Sequence, residues 1–118
     1  MRILIVDDST YIRTMLRSTL EEQGFDVIGE AVNGESAIDM IMNHTPDLIT
    51  LDNILPDMTG IDVLKAIKDM KLRPKVIMIS AVGQQSAIVE AISNGAAEYL
   101  VKPFDKGRLI TRVNELNN

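Results

Sequence analysis

The sequence predicts a single α/β domain, a doubly wound parallel sheet with helices on both faces, and three observations carry that prediction. Five short runs rich in Ile, Val and Leu recur along the 118 residues. Helical apolar spacing fills the stretches between them, and turn-forming residues mark the junctions. Strands that are apolar on both sides need cover on both faces, which crossover helices supply in parallel sheets.

The first run, Arg2 to Val6, stops at Asp7-Asp8. Ile12, Met15, Leu16, Thr19 and Leu20 then repeat at helical spacing, with Ser9 or Thr10 able to cap that helix and Gly24 suited to its left-handed end. A second run, Val27 to Ala31, leads to a helix capped by Asn33 and marked by Ala37, Ile38, Ile41 and Met42. His44, the sole histidine, reads as a solvated loop residue after that helix. The third run, Asp47 to Leu51, ends at Asp52; Pro56 falls in the connection, and Val63, Leu64 and Ile67 mark the third helix. Pro74 precedes the fourth run, Lys75 to Ile79, which ends at Ser80. Gly95 closes the fourth helix, the fifth run is Tyr99 to Val101, and Lys102-Pro103 leads to a final helix with Leu109, Ile110, Val113 and Leu116 on its apolar face. Of the seven methionines, Met15, Met40, Met42 and Met78 stand at apolar positions and read as core filler.

Composition narrows the function. The length is that of one domain, residues 1–118, and 46% apolar with 25% charged residues is a globular balance. No apolar run approaches the ~20 residues of a membrane span, so no insertion and a cytoplasmic location are expected. The absence of cysteine excludes thiolate metal sites and leaves oxygen ligands. A formal charge of −5, with no basic patch apparent along the chain, argues against direct binding to nucleic acid.

In doubly wound sheets, ligands bind beyond the carboxyl ends of the strands, where the winding reverses. Asp7, Asp8, Asp52, Ser80 and Lys102 all fall at such ends. Crowded carboxylates raise one another's pKa unless a cation intervenes, and an oxygen-only cluster suits Mg²⁺. Carboxylate, divalent cation, hydroxyl and ammonium together make a site for phosphoryl transfer. Asp52, on the central third strand, is the expected covalent acceptor, with Asp7 and Asp8 as metal ligands and Ser80 and Lys102 holding phosphoryl oxygens. Singly, each residue reads as a cap, a turn residue or a surface charge; their co-occurrence in this strand order is what points to chemistry.

Val6-Asp7-Asp8-Ser9, the stretch Leu51 to Gly60, Ser80-Ala81 and Lys102-Pro103-Phe104 resemble the response-regulator receiver family over the whole chain. The resemblance implies a flavodoxin-like fold with strand order 2-1-3-4-5 and a phosphoryl group passed to Asp52 from a phosphohistidine on a sensor histidine kinase. It implies Mg²⁺ bound by Asp8, Asp52 and the main-chain carbonyl of Ile54, with Asp7 assisting through water. It further implies a switch made of Ser80 and Tyr99, a Lys102 that bonds the phosphate, a cis peptide before Pro103, and an output face built from the fourth helix, fifth strand and fifth helix. The stretch Ser80 to Gln85, then Ile88 to Ile92 and Gly95-Ala96, looks most like the chemotaxis-type, CheY-like members that act alone. A monomer whose target is a flagellar switch or a phosphatase follows from that likeness.

Some positions depart from the family pattern. Leu55 replaces a common Met, a volume-conserving change, and Asn53 is polar where an apolar residue is frequent. Ile54 and Val82 offer no side chain to orient a water, so slow self-dephosphorylation is expected, and the protein is expected to be a switch without turnover. Two alternatives compete: a receiver cut from a longer transcriptional regulator, and a Mg²⁺-dependent phosphatase with an aspartyl nucleophile. The adjacency of Asp7 and Asp8 speaks against the phosphatase, which usually spaces nucleophile and acid two residues apart. Degenerate receivers usually lack one of the acidic pair, the acceptor or the lysine, and all are present; a flavin-binding domain is disfavoured because Asp7-Asp8 would repel the flavin phosphate.

Overall fold

A computed structural model describes residues 1–117. Strands β1 (Arg2–Val6), β2 (Asp26–Ala31), β3 (Leu48–Leu51), β4 (Lys75–Ser80) and β5 (Glu98–Val101) alternate with helices α1 (Thr10–Glu22), α2 (Gly34–His44), α3 (Gly60–Asp69), α4 (Gln85–Ser93) and α5 (Lys106–Asn117). All strand pairs are parallel and the sheet order is β2-β1-β3-β4-β5, as the family resemblance implied. The winding reverses between β1 and β3.

Alternation along the strands sorts the core into two layers. Leu4, Val6, Ile49, Leu51, Val76 and Met78 face one side, where Ile41 of α2, Ile61 and Leu64 of α3 and Ala91 of α4 cover them. Ile3, Ile5, Leu48, Ile77, Ile79 and Leu100 face the other, under Leu16 and Leu20 of α1 and Leu109 and Val113 of α5. Burial of a Leu, Ile or Val side chain contributes about 1.5–3 kcal/mol, so these layers dominate the stability.

Local signals end the helices where expected. The Ser9 side chain caps α1 and that of Asn33 caps α2, while Gly24 and Gly95 take φ of +84° and +108°. Two left-handed residues are not glycine: Thr45, the C-cap of α2, at φ 42°, and Lys71, just past α3, at φ 61°. Two expectations need correction. Met42 is 54% exposed rather than core, because α2 buries the face of Ala37 and Ile41 and turns Met42 outward. His44 is the last residue of α2 rather than a loop residue, though it is exposed as expected. Met78 is fully buried, and Met15 and Met40 are half-buried.

Candidate functional site

The sheet sets the spacing of the site, because its hydrogen-bond ladder runs one residue past several strands. The Asp7 N–H donates to the Ala31 carbonyl at 3.1 Å, the Asp52 N–H to Val6 at 3.0 Å and the Lys102 N–H to Ser80 at 2.8 Å. The side chains leaving these peptides converge. One carboxylate oxygen from each of Asp7, Asp8 and Asp52 lies within 4.8 Å of the others. Lys102 Nζ donates to Asp7 Oδ2 at 2.7 Å and to Asp52 Oδ2 at 3.0 Å, while the Lys102–Pro103 peptide is cis.

The second carboxylate oxygen of Asp7 and of Asp52 has its own holder. Asp7 Oδ1 accepts the Ser9 N–H at 2.9 Å and Asp52 Oδ1 accepts the Ile54 N–H at 3.1 Å. Asp7 and Asp52 are buried, whereas Asp8 is exposed and forms the solvent side of the cluster. The electrostatics is lopsided. Burial pushes the Asp7 carboxyl above its usual range despite its bonds to Lys102 and Ser9. Burial alone would push the Lys102 ammonium down, but the hydrogen bonds and charges of Asp7 and Asp52 outweigh it and hold Lys102 above its usual value. One ammonium among three carboxylates thus leaves negative charge uncompensated at a pH where all are ionised. That surplus and the oxygen-only donor set fit a hard divalent cation such as Mg²⁺.

Ser80 is fully buried, and its Oγ accepts the Val82 N–H at 3.3 Å. The Tyr99 hydroxyl donates to the carbonyl of the same Val82, with its ring half-buried against the core layer under α2 and α3. A single loop residue therefore links both expected switch residues. Ile54 is exposed at the rim, and its peptide borders Asp52 through the N–H.

Several residues that shape the site were not found in the sequence. Arg13 Nη1 donates to the Asp7 carbonyl at 2.8 Å, and Arg13 and Arg17 both reach Glu30 on β2, at 3.0 and 2.6 Å, bracing the end of β1. Asp57 accepts the N–H groups of Gly34 and Glu35 at 2.7 and 2.9 Å, tying the β3–α3 loop to the start of α2. Those two N–H groups hold the exposed Asp57 carboxyl below its usual range. Thr59 and Asp62 form a reciprocal capping box, a spacing that the sequence does carry. Gly60 stands where a Cβ would lie 2.7 Å from the Asp52 carbonyl, so only glycine lets α3 begin this close to Asp52. Asn53 is buried with its Oδ1 unpartnered, beside Asp52.

A parallel sheet in this order, with three carboxylates at its reversal point and a lysine bridging two of them, defines a class. The model of the response regulator receiver domain matches residues 3–114, and the chain belongs to that family. It is CheY-like: it is 44% identical to the chemotaxis protein CheY of Bacillus subtilis over 99% of this chain and 98% of that protein. Identity to the CheY of Thermotoga maritima is 40%, over 98% and 97% of the two chains. Among solved structures, a CheX–CheY complex with BeF3 and Mg²⁺ from Borrelia burgdorferi superposes with a TM-score of 0.94 at 34% identity, covering 99% of this chain and 89% of that one. Among the described residues no helix is long and apolar enough to cross a membrane.

Proposed function

We propose that Asp52 is the phosphoryl acceptor of a two-component pathway, taking its phosphoryl group from a histidine kinase. The observation that carries this reading is the Lys102 ammonium, beyond the end of β5, bridging Asp7 and Asp52 beside Asp8 at the ends of β1 and β3. An Asp52 carboxylate oxygen attacks phosphorus, the bond from phosphorus to the donor nitrogen breaks, and the donor histidine is released to take up a proton. Asp8, Asp52 and the Ile54 carbonyl would hold Mg²⁺, with Asp7 assisting. Bound there, Mg²⁺ supplies charge neutralisation for the phosphoryl oxygens.

The product adds a charge of roughly −1.5 to −2. Lys102 is already placed to follow it from the Asp52 carboxylate. Ser80 Oγ accepts the Val82 N–H and keeps its own proton to donate to a phosphoryl oxygen, while the Val82 carbonyl is the acceptor of the Tyr99 hydroxyl. Phosphorylation then shifts a two-state equilibrium in which the β4–α4 loop and Tyr99 move together. The face of α4, β5 and α5 is the output surface, read by a cytoplasmic target such as a flagellar switch or a phosphatase. The chemotaxis relatives and the CheX-bound Borrelia protein support that pathway. The protein works as a monomeric switch, and because Ile54 and Val82 cannot orient water, its self-dephosphorylation is slow.

Intact mass after incubation with acetyl phosphate tests the reading. A single phosphoryl addition to the native chain is expected, lost with EDTA and lost in Asp52→Asn. Addition that persists in Asp52→Asn would overturn the assignment, and steady turnover of a small phosphate ester would mark an enzyme instead.

A further inference from the structure

At the opposite end of the sheet from Asp52, a groove of about 670 Å³ opens between the C-terminal ends of α3 and α4. Its floor is apolar, formed by Leu64, Ile67, Leu72 and Val76, with the half-exposed Ile92 as one lip. Lys68, Lys71, Arg73 and Lys75 line it, all exposed, and no carboxylate does among the described residues. None of the four pairs with a described carboxylate. No basic patch is apparent along the sequence; folding makes one in a chain of net charge −5. Lys71 adds an independent oddity. It holds φ 61°, a left-handed conformation that glycine adopts freely and other residues adopt at a cost, so a lysine stands where backbone preference favours glycine.

We propose that this groove docks an acidic segment of a protein partner, whose apolar side chains enter the floor and whose carboxylates meet the four cations. Charge complementarity selects acid. Dispersed carboxylates suit the groove better than one compact anion, because both helices present their C-terminal ends, where the helix dipole repels a small anion on the axis. Nucleic acid fits poorly: no aromatic side chain lines the groove to stack a base, and the rest of the chain is acidic. The groove does not touch Asp52, so it is a surface separate from the carboxylate cluster.

The test is a titration of the ¹⁵N-labelled full chain, followed through its amide resonances, with a short amphipathic Leu/Glu peptide. Expected are shifts centred on residues 68–75 and 92–95, weakened by added salt and absent with a Leu/Lys peptide of the same pattern. Lys71→Gly removes one charge and relieves the backbone, so it should raise the melting temperature while weakening peptide binding about threefold. Lys68→Glu together with Arg73→Glu should abolish the shifts. The proposal is overturned if millimolar Leu/Glu peptide leaves these amides unmoved, or if Lys71→Gly binds as the native chain does. It is equally overturned if oligothymidylate or vesicles of anionic phospholipid move the same amides at lower concentration than the peptide.

Discussion

Helices α3 and α4 follow the strands that lead to Asp52 and Ser80, yet the chain holds them very differently. Helix α3 starts in a capping box and buries Ile61, Val63, Leu64 and Ile67, and the loop before it is tied by the Leu55 N–H to Met58, the Gly60 N–H to Asn53 and Asp57 to α2. Helix α4 has no side-chain cap, buries Ala91 alone, and follows a loop held through Val82. The Asp52 arm is thus fixed in advance, which the proposed phosphoryl transfer would reward because its chemistry is mainly positioning. The Ser80 arm is drawn from the weakly held end of the stability range, as moving elements usually are.

The largest test of that contrast truncates one side chain in each helix. Leu64→Ala should cost about 3 kcal/mol in urea unfolding, whereas Ile92→Ala, at a residue 46% exposed, should stay within about 0.5 kcal/mol. Equal losses would mean that α4 is as firmly packed as α3. A smaller effect lies in the caps: Thr59→Ala should destabilise by about 1 kcal/mol, and Gln84→Ser should stabilise by a few tenths to ~1 kcal/mol by giving α4 the cap it lacks. Slower amide exchange throughout α4 in Gln84→Ser would locate the gain there.

The smallest effect concerns the brace behind β1. The Arg17 hydrogen bond foremost, and Arg13 after it, hold the Glu30 carboxyl below its ordinary value of 4.5 despite partial burial. A depressed carboxyl contributes stability above its unfolded pKa and loses it as pH falls through the lower folded value. Glu30→Gln should therefore lower stability at pH 7 by about 0.5 kcal/mol, reduced by salt, with the deficit shrinking as the pH falls below the ordinary carboxylate value. A deficit that persists unchanged to pH 3 would assign the effect to packing instead.

The sequence by itself determined the element order, the parallel sheet and the convergence of Asp7, Asp8, Asp52 and Lys102, with Ser80 at the end of β4. Those follow from local patterns, since a residue that ends an apolar run in such a fold must sit at the rim of the sheet. What only the tertiary structure decided are the partners across the fold: Arg13 and Arg17 on Glu30, Asp57 on the start of α2, Val82 between Ser80 and Tyr99, and four cations around one groove. Periodicity reports which face of an element is apolar, so it placed Ile41 correctly and Met42 wrongly, the edge of a stripe being set by the neighbouring helix. A hydrogen bond or an ion pair needs two side chains at one point in space, and spacing along a chain carries no such coordinate.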